Sequence, residues 1–299
     1  MVKLAYIITS YQDPNQLKEL VDALGGQDIF IHIDLKSNID DFKSIINKDN
    51  VKFISNRKLV SWGGYSQVES LKELLIEVKE SNKNYDRVVC LSGTDYVSYP
   101  ISKIEEDFIN NPNKEYINAI DITGDNKHNN KVIQYWNFDI QNVFVRRIMN
   151  QLWYRFTKYL GNKKKDYLMI DNKKWDVYFG SDYFSLTYDC AMYVLDCLSN
   201  KQIINYFKSS YVPSELVFPT IVFNSKYGKN ANLLDNSKEY RIRYEKLCAL
   251  HYEIYEPLIK VMTINDITDI KQSGKLFFRK AKTGESDSLI EYIKNEKWE

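Results

Sequence analysis

The chain has 299 residues, 44% of them hydrophobic and 14% aromatic, enough to bury a substantial core and too apolar for a disordered polymer. Its 41 Lys and Arg nearly balance 40 Asp and Glu, for a formal charge of +1. No global field therefore gathers nucleic acid or an acidic membrane, and any phosphate recognition is local.

The opening "MVKLAYIITSYQDPNQ" carries an apolar run too short for a secretory signal. No stretch approaches the roughly 20 apolar residues of a membrane span, so the chain is expected to be cytoplasmic. "KLAYIIT" reads as a first strand, and Leu17, Leu20, Val21 and Leu24 recur at helical spacing before Gly25 and Gly26 stop the helix. "IFIHI" is a second strand, "IDDFKSIINK" a short helix and "VKFIS" a third strand. Val68, Leu71, Leu74, Leu75 and Val78 mark an amphipathic helix, entered through a tight turn at Trp62, Gly63 and Gly64, and "DRVVCLSG" is a fourth strand. This alternation predicts an α/β fold with a mostly parallel central sheet and helices on both faces.

Ligands of such sheets bind beyond the carboxyl ends of the strands, which here read "TSYQD", "HIDLKS" and "LSGTDY". No G-x-G-x-x-G or phosphate-loop sequence follows any of them. Where many sugar-nucleotide enzymes hold a metal on Asp-x-Asp, this chain has Asp34, Leu35 and Lys36. Cys90, Cys190, Cys197 and Cys248 lack metal-ligand spacing and read as free, mostly buried thiols of a reducing compartment.

After Pro100 the pattern loosens, with a polar loop at "DITGDNKHNNK" and no linker, so residues 1–299 are expected to form one catalytic domain. Residues 1–100 would be its regularly alternating half and 101–299 an elaborated second half. Between 143 and 165, Phe144, Ile148, Leu152, Phe156 and Leu160 repeat every four residues among Arg146, Arg147, Arg155, Lys158 and Lys163 to Lys165. Such a helix suits peripheral contact with an anionic membrane. The preferred reading is an ordinary helix packed on the core with a solvated basic face.

Seven segments in order, "LAYIITSYQDPNQLKELVDAL", "IFIHIDLKS", "VSWGGYSQVESLKELL", "VVCLSGTDYVSYP", "FGSDYFSLTYDCAMYVL", "YVPSELVFPTIVFNS" and "KLFFRKA", resemble the core-2/I-branching β-1,6-N-acetylglucosaminyltransferases, which share a family with peptide O-xylosyltransferases. The resemblance spans residues 4 to 281 and implies that residues 1–100 are the nucleotide-binding half and 101–299 the acceptor-binding and catalytic half. It implies a GT-A type fold, inverting transfer from a UDP-sugar to a glycan hydroxyl, and no metal or other cofactor.

It also implies the site residues. Inverting transfer needs a base for the acceptor hydroxyl; the family's Glu of Pro-Asp-Glu falls on Glu215 in Pro213-Ser214-Glu215, where Ser214 departs from Asp and could cap the helix. Cations must stabilise the leaving diphosphate; the family's Lys falls on Lys280, with Arg279 beside it. The partner Arg would fall on Pro257, which has no charge, so Arg243 in "IRYEKL" is the substitute candidate, with Arg241, Lys246 and Lys260 nearby. Leu247 replaces the family's acceptor-side Trp. Ser10 and Tyr11, the latter replacing a His, would lie along the nucleotide, with Asp34 on uracil or ribose and Lys36 near phosphate. Asp95, Gly180 and Ser181 would meet the acceptor, and Trp62 would be mainly structural.

The expected substrate is UDP-N-acetylglucosamine, used for bacterial surface polysaccharide. Another UDP-hexose or UDP-xylose, or a silent glycan-binding protein on the same fold, remain alternatives. No nucleic acid partner is expected.

Overall fold

The computed structural model describes residues 2–124, 128, 130–160, 163–235 and 244–295; the side chains of Lys158 and Leu160 are outside the description. The first half runs β1 (Leu4–Ser10), α1 (Pro14–Ala23), β2 (Asp28–Ile33), α2 (Asp40–Lys43), β3 (Val51–Phe53), α3 (Ser66–Glu80), β4 (Arg87–Ser92) and β5 (Asp95–Val97). It continues through α4 (Ile101–Asn110), β6 (Asn118–Asp121), α5 (Asn130–Ile133), α6 (Val143–Leu160), β7 (Tyr167–Ile170), β8 (Lys173–Asp176), β9 (Tyr178–Gly180) and β10 (Ser185–Thr187). The remainder is α7 (Tyr188–Cys197), α8 (Lys201–Phe207), α9 (Ser214–Phe223), β11 (Asn232–Leu233), α10 (Tyr244–Leu247), β12 (His251–Tyr252), α11 (Ile267–Gln272), β13 (Phe277–Arg279) and α12 (Asp287–Asn295).

The central sheet has the order β10-β4-β1-β2-β3 and is parallel except for β10. Its inner strands are continuous apolar runs because both faces are covered. Leu4, Tyr6 and Ile8 of β1, with Ile29 and Ile31 of β2, pack toward α1, α4 and α12. Ala5, Ile7, Phe30, Val88 and Cys90 point the other way, toward α3, α7 and α9. Alternation along a strand thus divides the core into two layers. The expected mostly parallel α/β architecture is the one the chain adopts.

Local chemistry fixes the helix entries. Asp13 accepts a hydrogen bond from the Gln16 amide (3.1 Å) ahead of Pro14, and Gly25, with φ +68°, ends the chain's first helical segment. Helix α3 instead borrows its cap: Asp139 accepts from the Tyr65 amide (2.8 Å) and the Ser66 hydroxyl (2.5 Å). A Cβ on Gly64 would lie 2.1 Å from Asp139 Oδ1, so this glycine is required by the cap.

Helix α6 departs from the preferred reading. Its apolar stripe faces away from the protein, with Phe144 72% and Leu152 55% exposed beside exposed Ile148 and Phe156. The inward side is mixed: Asn150 accepts from the Asn137 amide (2.9 Å), Arg146 donates to the Phe138 carbonyl, Thr157 is buried, and Met149 and Trp153 are half-buried. The helix leans on a strap at residues 135–138, which offers the Asn137 amide, the Phe138 carbonyl and the Tyr135 ring, 5.2 Å from the Trp153 ring. Lys164 also departs from the expected basic face, because its ammonium turns inward to the Tyr206 carbonyl (3.1 Å) and Ser210 hydroxyl (2.9 Å).

A candidate active site at the strand ends

A cavity of about 440 Å³ opens at the carboxyl ends of β1, β2 and β4. Ser10, Tyr11, Asp34 and Lys36, all expected along a nucleotide, line it, as do Ser92 and Thr94. The loop after β4 can close over β1 only without a side chain at Gly93, where a Cβ would lie 2.3 Å from Ser10 Oγ. Asp34 accepts from the amides of Lys36 (3.0 Å) and Val60 (3.4 Å), so it also organises its own turn. The Lys36 ammonium lies 3.4 Å from Asp34 and donates to the Val60 carbonyl.

The C-terminal cations reach this cavity through sheet pairing. Strand β13 runs antiparallel to β5 with Arg279 opposite Asp95. The Ala281 amide donates to the Thr94 carbonyl (2.7 Å), which pins Lys280 to the cavity wall. Burial, then the neighbouring Arg279 charge, lowers the Lys280 pKa from lysine's usual value. No carboxylate among the described residues lies within ion-pair distance of its ammonium. Arg279 is paired: its guanidinium sits 3.5 Å from Asp95, 3.9 Å from Glu253 and 4.5 Å over the Tyr183 ring. Burial works against its charge, but Tyr183, Asp95 and Glu253 outweigh that and hold its pKa well above the ordinary value.

The three residues expected at the acceptor sit behind the wall. Asp95 is 0% exposed, with its carboxylate bound by the Ser92 amide (2.6 Å) and His251 Nε2 (3.0 Å). Gly180 is needed for packing, since a Cβ there would lie 2.2 Å from the Asn118 carbonyl oxygen of the paired strand β6. Ser181 is buried and accepts from the Tyr183 amide (3.2 Å). Their neighbours Asp182 and Tyr183 are the residues that line the cavity.

Glu215 stands in the first turn of α9 and, unlike Asp182, does not line the cavity. Pro213 occupies the capping position, and Ser214 caps nothing: its hydroxyl donates to Asp182 Oδ2 at 2.9 Å, because the helix already begins at Ser214. Val212, immediately before, holds φ at +45°, an uncommon conformation for a β-branched residue and one that clusters at ligand sites. The Glu215 side chain is 16% exposed and lies 3.2 Å from the Lys131 ammonium. Burial raises its pKa to about 7, against the opposing pull of Lys131 and a Tyr244 hydrogen bond and with added repulsion from Asp182. Burial likewise raises Asp182, opposed by the Ser214 hydrogen bond and Arg279.

An aromatic surface joins the cavity mouth to this pair. Trp62, expected to be structural, is 69% exposed on the rim, with ring centroids 6.1 Å from Phe138 and 6.3 Å from Tyr211. Tyr211 in turn lies 5.0 Å from the Lys131 ammonium. Leu247 is buried in the core.

Sequence reasoning passed over Lys131, Asp182, His251 and Glu253. Lys131 lies in a polar stretch without a motif, while Asp182 directly follows Gly180 and Ser181, and that adjacency is its one signal in the sequence. Arg243 and Arg241 lie outside the described residues. Lys260 is committed to Asp266 (2.6 Å), and neither it nor Lys246 lines the cavity. Among the described residues no group of three His, Cys, Asp or Glu could hold a metal ion, and no helix is long and apolar enough to cross a membrane.

Residues 4–271 match the family model described as Branch, Core-2/I-Branching enzyme. No curated protein matches the sequence. Among solved structures, mouse xyloside xylosyltransferase 1 is 10% identical over 93% of this chain and 96% of its own, with a TM-score of 0.35. A Bacillus anthracis protein described as a glucose-1-phosphate thymidylyltransferase, in complex with sucrose, is 14% identical over 78% of this chain and 87% of its own, with a TM-score of 0.36. S. aureus TarS residues 1–349 in complex with UDP-GlcNAc is 15% identical over 42% of this chain and 36% of its own, with a TM-score of 0.26.

Proposed function

The chain belongs to the core-2/I-branching enzyme family, and from that premise we propose an inverting, metal-independent glycosyltransferase of GT-A type. It moves N-acetylglucosamine from UDP to a glycan hydroxyl in bacterial surface polysaccharide synthesis, as one catalytic unit in the cytoplasm. The observation that carries this reading is the meeting of Lys280 and Arg279 with Asp182 at one strand-end cavity, where Asp182 is hydrogen-bonded to Ser214, the residue before Glu215.

The chemistry follows from the charges. Glu215, with a pKa about 7, is poised to take a proton near neutral pH. It removes the acceptor hydroxyl proton as that oxygen bonds to the sugar's anomeric carbon from the face opposite the diphosphate. The bond from that carbon to the diphosphate breaks, and negative charge grows on the departing UDP. Lys280, unpaired among the described residues, together with Lys36, meets that charge where a metal ion would otherwise serve. Arg279 holds the wall through its carboxylate partners. Trp62 offers the flat apolar face that a sugar ring stacks on, in place of the buried Leu247.

One observation favours a second assignment of the base: Asp182 lines the cavity and Glu215 does not. Both variants decide it. A panel of UDP-sugars is screened by thermal shift, because a ligand bound to the native state raises its melting temperature. UDP release from the stabilising donor is then measured with EDTA for the native chain, Glu215→Gln and Asp182→Asn. Loss confined to Glu215→Gln supports the assignment, and loss confined to Asp182→Asn transfers it. Absence of UDP release from every donor would remove the enzymatic reading.

A further inference from the structure

We propose that α6 is an interfacial helix that seats this protein on an anionic lipid bilayer. The four-residue apolar stripe of the helix is turned outward, while Trp153 packs inward against Tyr135. A surface helix ordinarily turns its apolar stripe to the core, yet Phe144, Ile148, Leu152 and Phe156 are exposed while Asn150 and Thr157 face the protein. A contiguous exposed apolar stripe marks an interaction surface.

Charge identifies the occupant. Between Asp139 and Asp166 the sequence holds seven basic and no acidic residues, in a chain whose total is +1. Lys164 is used internally, Arg147 and Arg155 are exposed on α6 itself, and Lys163 and Lys165 are exposed in the segment that follows it. An apolar stripe bordered by cations alone matches acyl chains beneath anionic headgroups. A second copy of α6 would bring cations against cations.

The attachment of α6 gives docking a consequence. The strap beneath it carries Trp136 and Phe138, and Phe138 packs against Trp62 on the cavity rim. A docked α6 therefore holds the aromatic entrance near the headgroups, where a glycan carried on a membrane lipid would present its hydroxyl. This last step rests on the proposed glycosyl transfer; the docking itself does not.

The test is co-sedimentation of the full chain with vesicles of phosphatidylcholine alone and of phosphatidylcholine mixed with phosphatidylglycerol. Binding is expected only to the mixture, weakening with salt. Arg147→Gln with Arg155→Gln should weaken it by about fivefold per residue, and Phe144→Ser with Leu152→Ser should abolish it. Because these side chains are exposed, the melting temperature and UDP release from donor stay at their native values. Retained binding by the serine variant, equal binding to both vesicle types, or a dimer dispersed by the serine variant in light scattering without vesicle binding would each overturn the proposal. UDP release is read separately, so failure of docking leaves the catalytic reading standing.

Discussion

Glu215→Gln separates two properties of one side chain, its chemistry and its cost to the fold. A glutamate carboxyl free in water ordinarily titrates near 4.5, the value expected in the unfolded chain, and in the folded protein burial raises Glu215 to about 7. As pH rises from the lower value to the higher, the unfolded state ionises first while the folded state keeps its proton. Native stability therefore falls through that window, and the loss is complete above the folded pKa. At about 1.36 kcal/mol per unit, the shift corresponds to about 3 kcal/mol. Glutamine has the same shape and does not titrate, so the variant gains that amount relative to the native protein between about pH 4.5 and about pH 8. Urea unfolding at both pH values measures the difference; calorimetry with UDP and a transfer assay measure function. Nucleotide affinity should be unchanged and transfer should fall by about a hundredfold or more. A stability difference that stays flat with pH would refute the buried, raised carboxyl, and substantial transfer by the variant would refute its role as base.

The native transfer rate should rise with pH toward a plateau above about 7, following deprotonation of Glu215. Lys131→Met removes the cation 3.2 Å away, so the rising limb should move up by about one unit or more, costing about tenfold near neutrality and recovering at higher pH; an unmoved limb would break the pairing argument. Lys280→Ala should weaken UDP binding by about tenfold to a hundredfold, the worth of a charge-assisted hydrogen bond, and leave uridine binding alone; equal losses for both would place Lys280 off the diphosphate. EDTA should leave transfer unchanged, whereas activity that appears only with added manganese would end the metal-independent reading. Trp62→Ala should raise the acceptor KM while donor hydrolysis persists, and an unaffected KM would deny the stacking role.

Local hydrophobic periodicity specifies the strand and helix framework of the first hundred residues. The runs at β1, β2 and β4 and the spacing of α1 and α3 are local hydrophobic periods, which a chain with both sheet faces covered must carry. The same runs located the ligand end of the sheet, because loops after parallel strands gather there, and Ser10, Tyr11, Asp34 and Lys36 were legible for that reason. Lys280 and Glu215 were legible only through family motifs.

Tertiary structure decided the rest, because charge and burial are properties of space. Pairing of β13 with β5 brings Arg279 to Asp95, 184 residues earlier in the sequence. Packing seals Asp95 and Ser181 and leaves Asp182 on the cavity, although these residues share the same short polar segments. Lys131 became visible only when the fold set it against Glu215. For α6, periodicity specified a helix with an apolar stripe but not its direction, since a period defines a face and only the neighbouring elements determine whether that face meets protein or solvent.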